Sequence, residues 1–151
     1  MNLDTSKKIL MIIGILTMIG ASLTILLGIV AFMGIHAGVA DPMIENDIGM
    51  EEGIGMMTLG GILFLALGVI NLISGIVAFL AGSKATKNLA TAAMLFEALC
   101  SIGAIANLFQ AGQTRSQIIS GVLNILINVW AVYAAYIVRK NAVEKEIEEI
   151  K

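Results

Sequence analysis

Few residues in this chain carry reactive chemistry, and Glu97 stands out among them. It is the one acid or base inside four long apolar stretches, residues 9–33, 56–81, 89–108 and 118–138. An acid held in hydrocarbon costs about 3 kcal/mol, so such a residue faces other helices and has polar partners. His36, the only histidine, stands at the end of the first stretch with no second histidine or cysteine near it in sequence. Cys100, the only cysteine, falls inside the third stretch, which excludes an intrachain disulfide and dithiol redox chemistry. The acids Asp41, Glu45, Asp47, Glu51 and Glu52 offer oxygen ligands, but their spacing and the following glycines depart from an EF-hand loop. They read as a solvated acidic face. No metal, no cofactor and no catalytic constellation is expected from these residues, and the chain does not read as an enzyme.

Each apolar stretch is long enough to cross a bilayer, since roughly 20 residues at 1.5 Å each span about 30 Å of hydrocarbon. The composition agrees: 58% of residues are hydrophobic and 13% charged, with a mean hydropathy of +0.95. A net charge of -2 offers no nucleic-acid surface. The connections are too short to hold a soluble domain, so residues 1–151 read as one membrane domain. Lys7 and Lys8 before an apolar run, with Gly38-Val39-Ala40 after it, resemble a signal peptide. The run is far longer than a signal core of about 7–15 residues, so it reads as a retained helix.

Lys7, Lys8, Lys84, Lys87, Arg139 and Lys140 fall on one side of four crossings, and Arg115 with the acidic loop on the other. The positive-inside rule then places both termini in the cytoplasm and the chain in the plasma membrane as a multi-pass protein. The outer loop, residues 34–55, is expected to hold a short surface helix begun by Asp41-Pro42, with Ile44 and Ile48 on one face.

Small residues recur at alternating steps of three and four. The first helix has Gly14, Thr17, Ala21, Thr24, Gly28 and Ala31, and the second Gly61, Gly68, Asn71, Gly75, Ala78 and Gly82. The third has Ala90, Ala93, Glu97, Cys100, Ala104 and Asn107, and the fourth Gly121, Asn124, Asn128, Ala131 and Ala135. In lipid, close backbone approach and hydrogen bonds hold helices together, and a period near 3.5 gives a left-handed twist. The expected fold is an all-α, antiparallel, up-down-up-down four-helix transmembrane bundle, left-handed and tightly packed along these seams. Depth counted from the inner ends of the stretches puts Thr17, Asn71, Glu97 and Asn128 in one polar layer, with Asn124 a turn away on the same seam. In its neutral form the acid can donate a hydrogen bond to an asparagine carbonyl oxygen.

The last segment, residues 139–151, is expected to extend the fourth helix into the cytoplasm. Val143, Ile147 and Ile150 form a short apolar stripe there, fit for a membrane surface or a partner helix. Claudin and tetraspanin cysteine motifs are absent, and small multidrug transporters carry their acid in the first helix, not the third. Lys7-Lys8-Ile9-Leu10 at the start, and a short lysine-containing loop before the third helix, resemble small bacterial four-helix membrane proteins of unknown function. That resemblance implies no activity. The expected role is a membrane scaffold, accessory subunit or regulator of a larger assembly, whose partners are the lipid bilayer and a membrane protein or further copies of itself. The alternative is a small oligomeric ion- or proton-coupled transporter or channel using Glu97.

Overall fold

The computed structural model describes residues 1–36, 50–109 and 114–150, with the side chains of 34–36, 50–58 and 107 left aside. All four apolar stretches are helices: α1 Leu3–His36, α2 Met50–Lys84, α3 Lys87–Leu108 and α4 Arg115–Ile150. No strand occurs among the described residues.

Local chemistry sets the helix ends. Asn2 caps α1, its Oδ1 accepting the Thr5 N–H at 2.8 Å. Thr114 and Gln117 form a reciprocal capping box before α4. The Thr114 N–H donates to Gln117 Oε1 at 2.8 Å, and the Gln117 N–H donates to Thr114 Oγ1 at 3.4 Å. Between α2 and α3 the chain turns on Ala85, which has φ 51°. Its N–H donates to the Ala81 carbonyl at 3.1 Å and closes the helix. This left-handed position ordinarily takes glycine, because a β-carbon there costs about 1 kcal/mol. Ala85→Gly is therefore expected to raise the thermal midpoint in detergent by about 2 °C. A fall would show that the methyl group's packing against the neighbouring core outweighs the backbone strain.

The helices outrun the apolar stretches, because a helix continues into polar sequence where caps and good helix formers allow it. Residues 50–55, assigned from sequence to the outer loop, belong to α2, so Glu51 and Glu52 are helical. The surface helix expected from Asp41-Pro42, with Glu45 and Asp47, lies outside the described residues.

The chain forms two compact units, Met1–Leu16 with Ser74–Lys151, and Thr17–Ile73. In the first, all four helices share a core of Leu10, Ala81, Ala90, Ala93, Ala134, Ala135 and Val138. Alanine dominates because a methyl group lets backbones approach while leaving no gap. α1 and α2 run in opposite directions there. A β-carbon on Gly82 would lie 2.6 Å from the Lys7 carbonyl oxygen, and one on Gly14 would lie 2.6 Å from the Phe79 backbone nitrogen. α3 and α4 are antiparallel too: Leu108 packs on Gly121, and Arg139 Nε donates to Thr91 Oγ1 at 3.1 Å.

In the second unit α1 and α2 again pack antiparallel, Gly68 against Ile25 and the Ala21 carbonyl, Gly28 against Leu65, and Gly61 against Gly28 and Phe32. The seam spacing separates glycines by role. Gly14, Gly28, Gly61, Gly68, Gly82 and Gly121 each face a neighbouring helix, whereas Gly20, Gly60 and Gly103, off the seam, have nothing within 4 Å. Ala31 and Asn124 keep seam spacing yet are exposed. α4 buries its residues only from Asn128 onward, so its first turns lack the multi-helix contact that the rest of its seam enjoys.

The outward faces are apolar. Leu95, Leu99, Ile102, Leu126 and Trp130 in the first unit, and Leu23, Leu27, Val30, Met33 and Leu59 in the second, are each more than half exposed. All four helices are long and apolar enough to cross a membrane. Exposed apolar faces on every helix suit lipid rather than water.

Candidate functional site at Glu97

Glu97 lies midway along α3 and is 2% exposed, the one buried charged-type side chain among the described residues. Its partner comes from α2. Ser74, also buried, donates its hydroxyl to Glu97 Oε1 at 3.5 Å. That separation is long for an O–H···O bond, so the contact is weak. Cys100, a half-buried free thiol, lies one turn along α3 from Glu97. Ser101 Oγ donates back to the Glu97 carbonyl at 2.9 Å, the local bond a helical serine makes when it points inward.

The residues of the polar layer expected from sequence fall in both units. Glu97 and Asn128 belong to the first unit, whereas Thr17 and Asn71, both half-buried, belong to the second. Asn128 is buried, but the α3–α4 register sets it apart from Glu97. Because Thr91 pairs with Arg139 and Leu108 with Gly121, Glu97 stands level with the Ala131–Ala135 stretch. Asn128 is then about one turn nearer the α3–α4 connection. Asn124 is exposed. Counting depth assumes that the third and fourth stretches end in one plane, and the α3–α4 register departs from that by about one turn.

Ser74 escaped the sequence reading although a signal for it was present. It lies as far before the short turn at Ala85 as Glu97 lies after it, so folding α2 and α3 back about that turn places the two side by side. The contact joins α2 to α3 through one hydroxyl and one carboxyl group. Among the described residues no three His, Cys, Asp or Glu side chains converge as a metal site would require.

On α4 beyond the apolar stretch, Val143 is half-buried while Ile147 and Ile150 are exposed, Ile150 at 85%. Comparison with protein-family models, with curated proteins and with solved structures gives no match.

Proposed function

We propose that this protein is a small integral scaffold or accessory subunit of a larger assembly in the plasma membrane. It crosses the bilayer as an up-down-up-down, left-handed bundle with both termini cytoplasmic. The topology rests on the bias of lysine and arginine toward one end and of acids toward the other.

The observation that carries the role is α4. Its helix runs unbroken past Arg139 and Lys140 to Ile150, extending about 18 Å beyond its apolar stretch. Lys87 at the start of α3 pairs with Glu146 at 3.2 Å, and Arg139 bonds Thr91 lower down. An exposed ion pair adds little stability, but two links along one helix fix the direction in which it projects. The projecting arm presents Ile147 and Ile150 among exposed glutamates, which is how a helix offers itself to a partner groove. Transport by Glu97 has weaker support: the acid is buried against a serine hydroxyl, with no second buried charge among the described residues.

Purification of the full chain from its native membrane in mild detergent, after cross-linking, tests this reading. A larger assembly of fixed stoichiometry is expected, and Ile147→Glu/Ile150→Glu should deplete it about tenfold, the effect of about 1.4 kcal/mol at a contact. A chain that purifies alone and moves protons in liposomes, with the flux abolished by Glu97→Gln, overturns the proposal in favour of transport.

A further inference from the structure

Six cations gather in the first unit where α1 begins, α2 ends, α3 begins and α4 leaves its apolar stretch: Lys7, Lys8, Lys84, Lys87, Arg139 and Lys140. Three of them are engaged. Lys87 pairs with Glu146 at 3.2 Å, Lys140 with Glu144 at 3.8 Å, and Arg139 donates to Thr91. Lys7, Lys8 and Lys84 have no side-chain partner among the described residues. Asp4, in the first turn of α1, is their nearest acid in sequence and forms no ion pair with them.

The packing brings these three lysines to one place. Gly82 lies directly against the backbone of Lys7 and Met11, so the end of α2 that carries Lys84 is level with the part of α1 that carries Lys7 and Lys8. Further along the same two helices, Ile12, Ile15, Leu16 and Ile76 are exposed. Unpaired cations beside an exposed apolar wall match the two halves of an anionic phospholipid. The phosphate meets the ammonium groups and the acyl chains follow the isoleucines and leucine.

We propose that Lys7, Lys8 and Lys84 form a headgroup site for an anionic phospholipid on the α1–α2 face. The site rests on the membrane placement proposed above. Resistance of the chain to alkaline extraction from membranes tests that placement separately: a chain that washes off overturns the placement, and one that stays leaves only the site in question.

The site itself is tested on the full chain in non-ionic detergent, titrated with short-chain phosphatidylglycerol, with phosphatidylcholine of the same chains, and with inorganic phosphate. Binding is read by native mass spectrometry and by thermal unfolding. Phosphatidylglycerol is expected to bind saturably and raise the unfolding midpoint, and the other two to do neither. Each lysine removed should weaken binding about fivefold, so Lys7→Gln/Lys8→Gln/Lys84→Gln should weaken it about a hundredfold. Lys87→Gln/Lys140→Gln, at the engaged cations, should change it less than about twofold. If the triple variant unfolds early without lipid, Lys8→Gln/Lys84→Gln, at two exposed positions, carries the test with an expected loss of about 25-fold. Equal binding of the two lipids, or undiminished binding by the lysine variants, overturns the site. Competition by inorganic phosphate at the same concentration as the lipid overturns a phospholipid as its occupant.

Discussion

Gly14→Ala is expected to push α1 away from α2 and to destabilise the protein by about 3 kcal/mol, at the upper end of overpacking costs. The added β-carbon would sit 2.6 Å from the Phe79 nitrogen, 2.7 Å from the Gly75 carbonyl oxygen and 2.9 Å from the Phe79 α-carbon. All three are backbone atoms, so no side chain can turn aside and one helix must move. Gly82→Ala should cost less, because one of its two closest contacts is Met11 Cγ, part of a flexible side chain that can yield. Gly20, on α1 as well, has nothing within 4 Å. Gly20→Ala meets no neighbour and gains helix propensity, for an expected stabilisation of about 0.5 kcal/mol. Unfolding of the three variants in mixed detergent, followed by circular dichroism, gives the comparison. A Gly14→Ala protein as stable as wild type would mean that α1 and α2 are not in backbone contact at this point.

These contrasts bear on what the sequence could reveal. Helix existence follows from the length of the apolar runs, and the inward face follows from the three-and-four spacing of small residues. That spacing alone distinguishes Gly14, Gly28 and Gly68 from Gly20, Gly60 and Gly103. Helix ends were less legible, since Asn2 and the Thr114–Gln117 capping box act outside the apolar runs. Depth was the least legible, because one helix's register against another depends on contacts such as Arg139 with Thr91, and hydropathy carries no trace of them. Glu97 was visible as the lone acid, yet its partner Ser74 was not. A serine in an apolar helix resembles any other small seam residue until the α2–α3 hairpin is folded about Ala85. The same short turn shows why Ser74 and not an asparagine meets the acid. With so little chain in the connection, α2 and α3 have almost no freedom to slide, and equal distances from the turn must lie side by side.

That constraint makes position 97 a sensitive probe of whether the bundle interior is dry. Glu97→Lys is expected to cost at least about 3 kcal/mol and to abolish accumulation of folded protein, since it places an amine at a 2% exposed position with no second buried charged-type side chain among the described residues. Glu97→Gln keeps the shape and an oxygen to accept the Ser74 hydroxyl, so it should remain within about 1 kcal/mol of wild type. The pair's own contribution is small. A double-mutant cycle with Ser74→Ala and Glu97→Leu should give a coupling near 0.6 kcal/mol, about the average for interhelical hydrogen bonds in membranes. The 3.5 Å separation holds it well below the upper values of about 1.7 kcal/mol. Burial and coupling thus act at different scales: a wrong charge at this position is severe, and loss of the hydrogen bond is mild. A Glu97→Lys protein that folds and inserts normally would mean that water reaches position 97. The buried serine–acid contact would then be one state of an opening pathway, and ion flux through the wild-type protein would become the expected result. A dry interior gives the opposite pattern: Glu97→Lys lost, Glu97→Gln retained, and α2 held in register on α3 by the short turn, to which the weak Ser74–Glu97 contact adds little.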